Sequence, residues 1–170
     1  GFLGSEFAAG YGSNLEALRA GLRDLGYAEG KNIAIESRWA EGKYERLPDL
    51  AAELVRLKVD VIVTHGTPGT RAAKLATTTI PIVIATSGDP VAMGLVASLA
   101  RPGGNVTGSA TFTTELMAKR LEFLKEAVPR IKLVAVLANA LNPSRVVDSQ
   151  EMETAAKALK MGLHRFEVRG

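Results

Sequence analysis

The stretch KVDVIVTHGTPGTRAAKLATTTIPIVIATSGDPVAMGLVASLARPGGNVTG, Lys58 to Gly108, decides the fold. It holds two short apolar β-branched runs, Val61 to Val63 and Ile82 to Ile84. Each run ends in small polar and glycine residues that lead into helix-like sequence, the pattern of buried parallel strands feeding loops. In open α/β sheets ligands bind past the carboxyl ends of strands, so Thr64 to Thr67 and Thr86 to Asp89 are the first functional candidates.

Toward the amino terminus, Phe2 and Leu3 read as a strand end and Gly4 to Gly12, rich in glycine, alanine and serine, as a loop. Ser13 with Glu16 matches a capping box, and Leu15, Leu18, Leu22 and Leu25 follow at helical spacing until Gly26. Ile33, Ile35 and Ser37 alternate with Ala34, Glu36 and Arg38, predicting a strand with one face less buried that ends at Trp39. Leu47, Leu50, Leu54 and Leu57 mark an amphipathic helix over about Tyr44 to Leu57, with Pro48 in its first turn, where a missing N–H is tolerated. Within the opening stretch, helices are predicted over Pro68 to Ala76 and Asp89 to Leu99. Strands and helices that alternate with short connections imply a doubly wound parallel sheet with right-handed crossovers.

Toward the carboxyl terminus, Arg101 to Asn105 reads as a turn whose glycines take positive φ, and Val106 to Ala110 as a fifth strand. Residues 1–110 are therefore expected to form a first α/β lobe and 111–170 the beginning of a second. The second part has a helix capped by Thr113 or Thr114, a buried strand at Leu133 to Leu137, and a polar loop from Asn139 to Ser144. A helix around Val147 to Leu159 and a strand near Leu163 to Val168 follow. So short a second sheet leaves an apolar edge and flank, to be covered by further chain or by dimerisation.

The 170 residues are 46% hydrophobic and 23% charged, as in ordinary globular proteins. Asp89 interrupts the most apolar region, leaving no run of the roughly 18 residues that a membrane span needs. The net charge is +3, but the basic residues are scattered among carboxylates and only 5% of residues are aromatic. Nucleic-acid binding, which needs clustered cations and stacking rings, is not expected. With no cysteine, disulfides and thiolate metal sites are excluded. Gly1 begins on a strand end without a start methionine, which suggests a preceding segment, a cleaved export signal being one source.

Asp89 suits two roles. It is a favoured N-cap, with Pro90 as the expected first helical residue, and it is also a carboxylate that would receive a ligand ammonium group. Gly66 and Thr67 end a strand and open a helix, offering a hydroxyl and N–H donors to an anion such as a carboxylate, although Thr67 also suits a plain cap. Ser87 lies beside Asp89 but lacks a GxSxG frame, so hydrolysis is not supported. His65 and His164 have no HxH or HExxH partner, and metal binding is not expected. The amino-terminal glycines match neither GxGxxG nor GxxxxGK[ST], so no nucleotide cofactor is expected. Asn105-Val106-Thr107 fits a glycosylation sequon but lies where a turn needs it. Asn139 and Asn142 follow the Leu133 strand and would face the first-lobe loops across a cleft, while Asn142-Pro143 equally reads as a turn initiator.

The combination of GTP at Gly66 to Pro68, GDPV at Gly88 to Val91 and SLARPGGNVTG at Ser98 to Gly108, continuing into KRLEFLKEAVP, strongly resembles bacterial ABC-transporter substrate-binding proteins. Members of that family include receptors for aromatic amino acids. The resemblance covers essentially the whole chain. It implies two lobes of the type I periplasmic-binding fold around a cleft that closes on one small ligand. It also implies contacts from loops matching Gly4 to Ala8, hence Ser5, then Gly66 and Thr67, Ser87 to Asp89, and the loop with Asn139 and Asn142.

The function expected is therefore non-enzymatic. The chain would capture a small solute, with an amino acid as the suited class, and present it to an ABC permease in the membrane. Its location would be periplasmic, or extracellular and membrane-anchored. A sensor of the same fold coupled to a signalling domain is the alternative. An enzyme is disfavoured for want of a nucleophile-base or metal set.

Overall fold

The computed structural model describes residues 1–111, 113–142 and 145–168, with the side chains of 113–115 and 145–148 left aside. Five parallel strands form the first sheet: β1 (Phe2–Gly4), β2 (Ser37–Trp39), β3 (Ile62–Thr64), β4 (Ile82–Ile84) and β5 (Val106–Gly108). Their order is β2-β1-β3-β4-β5. From β1 the chain moves one way to β2 through α1 (Ala8–Asp24). It then returns past β1 to β3 through a 3-10 turn (Tyr44–Arg46) and α2 (Leu47–Arg56). From there α3 (Gly66–Ala76) leads to β4. The winding reverses between β1 and β3, the position at which open α/β sheets form their ligand crevice.

α2 shows why the sheet is covered. Leu47, Leu50, Ala51 and Leu54 are buried at helical spacing, and they pack with Leu3, Ile62, Ala73, Ile82 and Val106 in one core. Full burial of each leucine contributes about 1.5–3 kcal/mol. As expected, Pro48 lies in the first turn of α2. Gly4 is required by a close approach: a Cβ there would stand 2.2 Å from Cε3 of Trp39, so the indole rests directly on the strand.

Several elements differ from the sequence reading. α1 begins at Ala8, inside the segment read as a loop, and Phe7 precedes it with no side-chain cap, so Ser13 and Glu16 form no capping box. Glu16 instead pairs with Arg19 at 2.8 Å. Gly10 and Gly12 disfavour a helix by roughly 1 kcal/mol each, but Tyr11 extends the inner stripe of Leu15, Leu18 and Leu22 by one turn, and its packing prevails. The strand expected at Ile33 starts only at Ser37, Ile33 making an isolated bridge with Glu29.

The helix expected over Asp89 to Leu99 is a single turn. Leu95 N–H donates to the Pro90 carbonyl at 2.8 Å and Gly94 N–H to that of Val91 at 2.9 Å, while Gly94 takes φ +66. These bonds close the turn as a Schellman motif as soon as it forms. In the Arg101 to Asn105 turn only Gly103 takes positive φ. The Asn105 amide has the structural use anticipated for it, donating to the carbonyls of Ile80 at 2.8 Å and Thr77 at 3.1 Å.

A second sheet pairs β6 (Leu133–Asn139) with β7 (Gly162–Val168) in parallel. α4 (Thr113–Ala127) and α5 (Arg145–Ala158) pack against each other, and Leu121, Ala156 and Met161 centre a small core there. The capping roles of Thr113 and Thr114, and the loop residues Pro143 and Ser144, lie outside the described residues. Leu133 to Leu137 does not form the buried strand expected: Leu137 is 72% exposed and Phe166 on β7 52%. Two strands bury one face against the helices and leave Leu133, Leu137, Phe166 and Val168 bare on the other, the uncovered flank that so short a second sheet implied.

Candidate functional site

Chemistry gathers at the carboxyl ends of β1, β3 and β4. Ser5 follows β1, His65 to Thr67 follow β3, and Ser87 lies beyond β4. The hydroxyls of Thr67 and Ser87, both buried, stand 3.4 Å apart. The Ser87 carbonyl is anchored by the N–H of Thr111 at 2.8 Å and its hydroxyl at 2.9 Å, which ties the loop after β4 to the segment after β5. Gly66 takes φ +71, available cheaply only to glycine, and donates its N–H to the Thr86 carbonyl at 2.8 Å. α3 then begins with no side-chain cap, so its first turn keeps amide donors open to an anion.

Behind this rim the packing is tight. Thr64, fully buried, donates its hydroxyl to the Leu3 carbonyl at 2.9 Å, tying β3 to β1. A Cβ on Gly69 would come within 2.4 Å of that hydroxyl oxygen and 3.5 Å of Ser5 Oγ, so α3 lies almost in contact with the strand ends.

Among the described residues, two buried side-chain polar atoms have no partner: Ser5 Oγ, on a residue 3% exposed, and Nε2 of His65, on a residue 7% exposed. The His65 ring is covered by Tyr11 of α1, centroids 4.2 Å apart and planes 19° from parallel. Trp39 lies 6.3 Å from Tyr11 and 5.1 Å from Phe2, completing an aromatic flank. Glu6 sits beside it, accepting a long hydrogen bond from the Tyr44 hydroxyl at 3.4 Å. Burial lowers the His65 pKa below the ordinary histidine value, with Glu6 opposing. Burial first and Glu6 second raise the pKa of Tyr11 and of Tyr44. The imidazole is therefore neutral at pH 7.

Of the expected residues, Ser5, Gly66, Thr67 and Ser87 are brought to this crevice. Asp89 takes its capping role, Oδ1 accepting from the N–H groups of Val91 and Ala92 at 2.9 Å each. Asn139 and Asn142 stand past β6 in the second sheet, where Asn139 Oδ1 accepts from Leu141 N–H at 2.9 Å and shapes the turn. Among the described residues no group of three or more His, Asp or Glu side chains could hold a metal ion. Glu6 lies in the Gly4 to Ala8 loop without being singled out by the sequence, and Tyr11 and Trp39 come beside it only through the pairing of β1 with β2 and the packing of α1 on His65. A cavity of about 430 Å³ lies elsewhere, between α5 and β7, lined by Glu153, Ala156, Lys157, Met161, Leu163 and Arg165. Arg165 and Glu153 pair there at 2.8 Å.

A family model described as ABC transporter substrate binding protein matches residues 11–169. The chain belongs to this family. It has a periplasmic-binding-protein-like α/β fold. It is 35% identical over 136 residues to a tyrosine-binding protein of Clostridioides difficile, which spans 80% of this chain and 39% of that protein. A conserved domain protein of Vibrio cholerae superposes with TM-score 0.88 at 29% identity, over 98% of this chain and 56% of that one. An ABC domain from Streptococcus pneumonia, solved with L-Trp, gives TM-score 0.79 at 24% identity, over 99% and 56%, and establishes the shared fold alone. The chain thus spans about half the length of these relatives or less.

Proposed function

We propose that this chain supplies one ligand-binding wall of a solute receptor that delivers a small molecule to an ABC permease. In this reading residues 1–110 are the first lobe and 111–170 the start of the second, on the periplasmic or extracellular face of the membrane. The observation that carries it is the crevice at the β1/β3 reversal. There the Thr67 and Ser87 hydroxyls, the uncapped start of α3 and the unpartnered Ser5 Oγ converge. Such a set of donors suits a carboxylate, and buried donors left unpaired each cost about 1–3 kcal/mol until a ligand meets them. The ring-lined flank of Tyr11, Trp39 and Phe2 suits an apolar or aromatic remainder.

An amino acid, aromatic ones included, has both parts, and the tyrosine-binding relative supports that class. Asp89 would stand at the rim, with Asn139 and Asn142 on the opposing lobe. Closure of the lobes around the solute would shift the population toward the form a permease engages.

Thermal unfolding of the full-length protein with amino acids, nucleosides and small peptides tests this. Ligand at about 100 times its Kd stabilises the folded state by ~2.7 kcal/mol and raises Tm. A rise with one amino acid class and none with nucleosides is the expected result. No rise with any solute would overturn the receptor reading.

A further inference from the structure

Two carboxylates border the crevice, and only one is committed to the fold. Asp89 Oδ1 is occupied by two backbone N–H groups that hold its turn. Glu6 immediately follows Ser5 in the loop after β1, one of the two strands at which the winding reverses. Its side chain is half-buried, and among the described residues no Lys, Arg or His side chain is paired with it. It does not cap α1, whose N-terminus has no side-chain cap.

Its one hydrogen bond, from Tyr44 at 3.4 Å, is far longer than the 2.7–2.8 Å usual for a hydroxyl donor. A carboxylate held this loosely keeps most of its acceptor capacity for a ligand donor. The surrounding groups give it no cation: Tyr11 and Tyr44 are neutral phenols, and His65 is kept neutral by burial. The orphaned Ser5 Oγ belongs to the residue before Glu6 in the same loop, and the orphaned His65 Nε2 to the loop after the neighbouring strand β3.

We propose that Glu6, and not Asp89, receives the ammonium group of an amino-acid ligand, with the Tyr11 and Trp39 rings beside it. The chemistry is a charge-assisted hydrogen bond in a low-dielectric crevice, supplemented by attraction of the cation to the ring faces. The ligand carboxylate would then lie on the Thr67 and Ser87 side, placing the two charged groups of one amino acid on the loops after adjacent strands. This assignment rests on the receptor reading above.

The test is calorimetric titration of full-length wild type and the E6Q, D89N and Y44F variants. The probes are L-tyrosine, L-tryptophan and L-leucine, each paired with its counterpart lacking the amino group, such as 3-(4-hydroxyphenyl)propanoate for tyrosine. E6Q should weaken the bound amino acid by about 10- to 100-fold while leaving its desamino counterpart within twofold. D89N and Y44F should show no such selective loss. Circular dichroism melts confirm that each variant is folded.

Selective loss in D89N, equal loss of both probes in E6Q, or an E6Q affinity for the amino acid within twofold of wild type would overturn the assignment. If wild type binds the desamino acids as tightly as the amino acids, the ammonium role of Glu6 fails while the receptor stands. If wild type binds none of the probes, the ammonium role of Glu6 fails, and the receptor reading falls only if the wider solute screen is also silent.

Discussion

The imidazole of His65 lies 4.2 Å from the phenol ring of Tyr11, nearly parallel to it, joining the loop after β3 to the second turn of α1. This stack covers His65, a buried titratable group that has no hydrogen-bond partner at Nε2. Its cost and its use both follow from that burial.

Stability should fall as pH is lowered through the slightly acidic range. His65 has a folded pKa below its unfolded value of about 6.5, because burial penalises the imidazolium more than Glu6 favours it. Between the two values the unfolded chain binds more protons, so stability is full above about pH 6.5 and declines as pH falls through the folded pKa. Chemical denaturation between pH 7.5 and 5 measures this. His65→Gln should flatten that part of the profile, and an unchanged slope would remove His65 as its source.

Gly69→Ala should destabilise by about 1–3 kcal/mol, because the added Cβ meets the Thr64 hydroxyl oxygen at 2.4 Å in a site with no room to yield. Thr64→Ala alone should also destabilise, by roughly 1 kcal/mol, through loss of the bond to Leu3. The double variant should be more stable than the sum of the two losses, since the second change removes the clash. Additivity in urea denaturation would mean that the helix shifts instead.

Asp89→Ala should cost about 1 kcal/mol, because two N–H groups lose their acceptor, whereas Asp89→Asn should cost only a few tenths. Thermal unfolding separates the two. Equal losses would point to a role for the charge rather than the cap.

Thr67→Val keeps the shape of the side chain and deletes the hydroxyl that faces Ser87. In the proposed receptor, affinity for a carboxylate ligand should drop by about 10-fold, some 1.4 kcal/mol, as measured by calorimetry. Unchanged affinity would leave Thr67 as packing only.

Asn105→Ala removes two donors to the Thr77 and Ile80 carbonyls and should destabilise by about 1–2 kcal/mol, measured by denaturant midpoint. Asn105→Asp should lose as much, since a carboxylate cannot donate to either oxygen.

Much of the architecture was legible in the chain itself. The runs at Ile62 and Ile82, the leucines of α2 and the small polar residues at Gly66 to Thr67 and Ser87 each carry a local signal of period or composition. α1 was misread at its start because Gly10 and Gly12 signal a loop locally, while the reason for a helix there is the contact of Tyr11 with His65, 54 positions away. The turn at Asp89 was read as a longer helix because its cap is a helix signal and its Schellman closure depends on φ at Gly94, which composition only hints at.

Sequence alone determined the fold class, the family resemblance and the strand-end loops with their hydroxyls, since these rest on short-range patterns of polarity and turn chemistry. Tertiary structure decided which of those loops meet. Strand order placed β1 beside β3, and so set Ser5, Glu6 and Tyr11 against His65 and Thr67. Pairing order is a property of the whole sheet's packing and handed crossovers, and no single stretch of residues encodes it.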